Sequence, residues 1–243
     1  MMTRRILIAL VCLCLLPRVG EAAISLVDVG TPDSTVGATV SVVNLTVSGS
    51  DTVLYCFAAI DDTSDLSTST ATWDSDGANE ALTFVSDFQT GRSIGVWRLV
   101  NPTAATNDAV DFASLPGAAQ KRVNCLSFSG VDGGDPDDAV QTGSGADSCT
   151  VTVTSPAGDW IVGGASIDGG AATHTIDTAS GNVSDNVSEG QVDLHLGHDP
   201  DGANDDLVFD WTNTVSSGCL GFNVNAAAAS TTGRPGVIGG GIF

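Results

Sequence analysis

Positive charge is scarce in this chain: its 243 residues carry 8 Lys and Arg against 29 Asp and Glu. A surface of that sign repels phosphate backbones and anionic headgroups, which argues against nucleic-acid binding and against electrostatic attachment to a membrane. Glutamate is nearly missing as well, with only Glu21, Glu80 and Glu189. Neither Glu80 nor Glu189 sits in an apolar setting that would raise its pKa for acid catalysis, so a glycosidase pair has no obvious carrier. No G-x-S-x-G places a serine on a strained turn, no H-E-x-x-H offers a zinc-binding helix, and no G-x-G-x-x-G opens one. Cys56, Cys125, Cys149 and Cys219, tens of residues apart, lack the short paired spacing of a zinc site. An enzyme is therefore not expected, and no cofactor is required.

The sequence opens like a secretory leader. Arg4 and Arg5 precede an apolar run from Ile6 to Leu16, followed by Pro17 and a small-residue exit at Gly20, Glu21 and Ala22. Eleven apolar residues fall short of the roughly 20 that a spanning helix needs. No small-residue lipobox precedes Cys12 or Cys14, so a lipid anchor is not expected. Cleavage after Ala22 removes Arg4, Arg5, Arg18 and Glu21, leaving 5 basic and 28 acidic side chains and a net charge of −23. Residues 23–225 then form the domain. Residues 226–243, rich in Ala and Gly, read as a flexible tail whose glycines and length exclude a membrane span. The expected destination is outside the cytoplasm.

What fills residues 23–225 is period-two hydrophobicity broken by turn residues. In Leu82–Phe88 the side chains of Leu82, Phe84 and Phe88 share one parity and Thr83 and Asp87 the other, the pattern of a half-buried strand. DSDGAN before it and QTGR after it are turns. Ile94, Val96, Trp97, Leu99 and Val100 follow as a strand with no obvious wet face, stopped by Asn101 and Pro102. Val53–Ile60 is apolar at both parities and belongs at the centre. Further strands are expected in Ala38–Val47, Val123–Ser129, Trp160–Ile167, Leu207–Trp211 and Cys219–Val224. In Cys149–Thr154, Cys149, Val151 and Val153 point inward and Thr150, Thr152 and Thr154 outward. The prediction is an all-β fold: a single antiparallel two-sheet β-sandwich, jelly-roll-like, of about a dozen strands. Its expected core includes Leu54, Leu82, Phe84, Trp97, Leu99, Leu126, Phe128, Val151, Val153, Leu220 and Phe222.

Four cysteines outlast the leader, and an even number in an exported chain points to two disulfides with three possible connectivities. Cys125-Leu126-Ser127-Phe128 and Cys219-Leu220-Gly221-Phe222 share a C-L-x-F pattern, which favours Cys125 with Cys219 and leaves Cys56 with Cys149. Asp74–Leu82 and Asp199–Leu207 share D-x-D-G-A-N-acid-x-L. Carboxylates alternating before a glycine can converge on a hard cation, so Asp74, Asp76, Glu80, Asp199, Asp201, Asn204, Asp205 and Asp206 are candidate calcium ligands. The spacing departs from an EF-hand, and Asp and Gly in a hairpin turn need no metal. His195, His198 and Asp199 make H-x-x-H-D, a candidate transition-metal or general-base group whose plain alternative is three solvated loop residues. Lys121 and Arg122 are expected to begin a strand at the rim.

Four pieces, WDSDGANEALTFV, VWRLVNPTAATNDAVDF, CLSFSGVDGGDP and CLGFNVNA, resemble a widespread, largely uncharacterised family of β-sandwich domains found in exported bacterial proteins and phage structural proteins. The likeness covers roughly residues 40–225. It rests on Trp73, Gly77, Leu82 to Val85, Trp97 to Pro102, Ser127 to Asp132 and Pro136. It implies a jelly-roll-like adhesive or structural module and brings no catalytic residues; an Asp-richer first turn and the added cysteines depart from it. The expected function is a secreted, non-catalytic module that binds an extracellular glycan or protein surface. The alternatives are a subunit that self-assembles by strand addition and, last, a secreted hydrolase. Tyr55, Trp73, Trp97, Trp160 and Trp211 all lie in or beside strands, which weakens a stacked sugar site.

Overall fold

In the computed structural model, residues 23–74, 77–117, 119–168, 174–176, 191–200, 206–211 and 215–228 are described. They are all-β. The strands are β1 (Ser25–Val29), β2 (Asp33–Thr35), β3 (Val40–Val47), β4 (Val53–Ile60), β5 (Thr70–Asp74), β6 (Glu80–Ala81), β7 (Thr83–Thr90), β8 (Arg92–Val100) and β9 (Ala105–Ala113). There follow β10 (Lys121–Ser129), β11 (Gln141–Gly145), β12 (Ser148–Thr152), β13 (Trp160–Asp168), β14 (His174–Ile176), β15 (Val192–Asp199), β16 (Asp206–Trp211) and β17 (Ser217–Val224).

They form four sheets, not two. One has the order β1-β10-β4-β8-β7 with β2 also on β10, and it faces β3-β9-β5-β6. The other pair is β11-β17-β13-β15 facing β12-β16-β14. Every ladder between strands is antiparallel. The second pair repeats the connectivity of the first. β10-β4-β8 corresponds to β17-β13-β15, β3-β9-β5 to β12-β16-β14, and β1 on β10 to β11 on β17. The expected single sandwich of about a dozen strands is thus two sandwiches in tandem, with seventeen strands among the described residues.

Three apolar cores alternate with the sheets. The first fills the N-terminal sandwich, the third fills the C-terminal one, and the second lies between the sandwiches. The sheets holding β4 and β13 are therefore covered on both faces. This explains why Val53–Ile60 is hydrophobic at both parities: Leu54, Cys56, Ala58 and Ile60 enter the first core, while Val53, Tyr55, Phe57 and Ala59 enter the middle one. A strand of that kind has no wet face to encode. Leu82, Trp97 and the half-buried Phe84 and Leu99 lie in the first core, Leu126, Phe128, Leu220 and Phe222 in the middle one, and Val151 and Val153 in the third. The four middle-core side chains are each worth about 1.5–3 kcal/mol of burial. The shared parity expected of Leu82, Phe84 and Phe88 does not survive. A register shift between Phe84 and Ser86 turns Phe88 to the middle core, because an extra residue reverses the faces beyond it. Among the described residues such shifts occur only in the ladders of β1, β3 and β7, strands on the rims of the N-terminal sandwich, and the C-terminal sandwich has none.

The disulfides join Cys56 to Cys125 and Cys149 to Cys219, correcting the expected pairing. Leu126 and Phe128 of β10 meet Leu220 and Phe222 of β17 in the middle core. Alternation then sends Cys125 and Cys219 in opposite directions, into the first and third cores. Cys125 instead finds Cys56 directly opposite on β4, with Cα atoms 4.1 Å apart. Ala165 stands opposite Cys219 on β13, so Cys219 bonds across its sandwich to Cys149 on β12, with Cα atoms 6.1 Å apart. The common C-L-x-F marks equivalent strands of the two halves.

Candidate functional site

The four basic side chains among the described residues are all engaged inside the protein. Arg92 at the start of β8 reaches Asp61 at 2.6 Å and Asp168, at the end of β13, at 2.9 Å, so one guanidinium ties the sandwiches together. Arg98 pairs with Asp137 in the linker between them. Tyr55 donates to the same carboxylate at 3.0 Å and to the Pro136 carbonyl at 3.3 Å. Burial, and then the charge of Asp137, pushes the Tyr55 hydroxyl well above the ordinary phenol value. Burial likewise raises the Asp61 carboxyl against the pull of Arg92. Lys121 and Arg122 do begin a strand, but a buried one. Lys121 donates to the carbonyls of Gly117 and Ala119 at 3.0 and 2.9 Å, and burial holds its ammonium below the ordinary value. Arg122 donates from Nε to the Val192 carbonyl at 3.0 Å.

The arrangement nearest to a binding site lies at one end of the C-terminal sandwich. β11 and β12 are the outer strands of its two sheets on the same side. Near their connecting turn they approach so closely that a Cβ on Gly143 would stand 2.2 Å from the Thr150 carbonyl oxygen. Away from that turn they separate around a cleft of about 330 Å³ lined by Asp138, Ala139, Gln141, Thr152, Val153 and Thr154. Behind its Asp138 wall lies an oxygen-rich cluster. The buried Asn223 amide faces Asp159 at 3.2 Å, Asn225 at 2.6 Å and Asp138 at 3.5 Å, and its carbonyl accepts from Ser155. Asp159 also accepts from the Ala226 N–H at 2.7 Å, and Ala227 N–H reaches the Gly130 carbonyl at 2.8 Å. Paired structure therefore continues past residue 225. The cleft offers hydroxyls, one amide and one carboxylate, a set that hydrogen-bonds a small hydroxylated ligand.

The described residues of the acidic turns bond to their own surroundings. Asp74 accepts from the Gly77 N–H at 3.0 Å, as in an ordinary turn. Glu80 clamps the N–H and hydroxyl of Thr103 at 2.8 and 2.9 Å. Asp206 accepts from the Thr152 hydroxyl at 2.6 Å, and Asp199, the last residue of β15, is buried. Asp76, Asp201, Asn204 and Asp205 lie outside the described residues. The two echoes also occupy different connections, β5 to β6 and β15 to β16. The β15–β16 connection corresponds to β8–β9 of the N-terminal half. Among the described residues, no three His, Cys, Asp or Glu side chains converge as a metal site.

His195, His198 and Asp199 are buried strand residues rather than solvated loop residues. Residues three apart on a strand face opposite ways, so the two imidazoles cannot share a ligand. His195 lies opposite Ala165, on the third-core side, whereas His198 stacks on Trp160 with ring centres 5.2 Å apart. Burial holds His198 below the ordinary imidazole value, opposed by the Asp199 charge. Sequence reasoning missed the cleft because its walls come from an acidic loop and a Thr-rich strand end. Asn223 and Asn225, alternating at the close of a buried strand, were a signal only for the cluster behind it.

Two disulfides are in place, and among the described residues no helix is long and apolar enough to cross a membrane. No family model, curated protein or solved structure matches this chain.

Proposed function

We propose that the protein is an exported, non-catalytic structural module that acts through its outer surface as a rigid building block of an extracytoplasmic assembly. The observation that carries this reading is the pair of sandwiches fused through a shared apolar core, each with its own disulfide. Rigidity of this kind suits a spacer or subunit. The leader-like start and the disulfides support export. The aromatic side chains described are buried or half-buried, and Val36 and Val43 are the only large apolar side chains exposed among the described residues. That supports assembly over sugar stacking. The test is sedimentation velocity of the oxidised mature chain over a hundredfold concentration range, with and without residues 229–243. Concentration-dependent association is expected, and a single monomeric species in both forms at every concentration overturns the proposal.

A second reading, a ligand-binding module, is favoured by the cleft with its Asp138, Gln141, Thr152 and Thr154 lining. It predicts saturable glycan-array signals that Asp138→Ala and Thr152→Val weaken, with and without added calcium. An array silent in both conditions removes it.

A further inference from the structure

We draw no further inference here: the strongest candidate, the oxygen-rich cluster of Asp138, Asp159, Asn223 and Asn225 where the linker between the sandwiches meets the ends of β13 and β17, already spends its amides and carboxylates on one another, and no second observation points to a ligand that would replace those hydrogen bonds.

Discussion

Arg122 of the N-terminal sandwich donates its Nε hydrogen to the backbone carbonyl of Val192 in the C-terminal one, at 3.0 Å and out of solvent. A carbonyl buried at that junction has no water to fall back on, so the arginine both satisfies it and joins the halves.

Arg122→Ala should therefore destabilise the protein by about 2 kcal/mol, the range for a buried hydrogen bond with a charged partner. Urea unfolding followed by far-ultraviolet circular dichroism checks it. An unchanged midpoint would show that this hydrogen bond adds nothing to the apolar core and the Arg92 bridge in holding the sandwiches together.

The disulfides should contribute separately. Cys149 and Cys219 are 70 residues apart, a loop whose closure is worth about 4 kcal/mol on the chain-entropy view. The paired change C149A/C219A is expected to lower stability by up to that amount while leaving Cys56 linked to Cys125. Non-reduced peptide mapping reads the linkage directly, and a Cys125–Cys219 peptide in the native protein would contradict the fold at its middle core.

Acid should act through His198. Burial lowers its folded-state pKa, so the folded protein prefers the neutral ring. As pH falls through the unfolded value near 6.5, the unfolded chain takes up a proton that the folded one refuses, and stability drops. Stability measured from pH 8 to 5.5 should decline in the native protein and decline less in His198→Phe. Equal slopes would assign the loss elsewhere.

Salt should stabilise. The cations described are engaged internally, and the full chain carries a net charge of −21, so its acidic exterior lacks neutralising neighbours. Raising sodium chloride from about 0.1 M to 1 M shortens the screening length from about 10 to 3 Å. The expected result is a higher Tm, and a flat or falling Tm would mean that surface repulsion is not a destabilising force here.

The strand pattern was legible because period two is a direct image of a one-sided sheet, as in Cys149–Thr154. It became ambiguous where both faces are covered. Val53–Ile60 announced deep burial but not that its second face would meet another sandwich, since hydrophobicity states that a side chain avoids water and not what it touches. The C-L-x-F echo had the same weakness: likeness between Cys125 and Cys219 reflected equivalent positions, and equivalence placed them in separate cores. His195 was misjudged because a polar residue on the face away from Val192, Leu194 and Leu196 of an isolated strand belongs to solvent, whereas here that face turns into the interior of the C-terminal sandwich. The cleft opens between two consecutive strands, β11 and β12, that join different sheets and diverge away from their turn, and nothing in the local pattern of residues 138–154 announces that divergence.

The kinks along β1, β3 and β7 matter most before the protein is complete. Ribosomes finish the leading sandwich first, while the sheet destined for the middle core still lacks its cover. Irregular borders give sibling chains no straight template to zip onto during that wait, so protection against mispairing is built into the half that is exposed the longest.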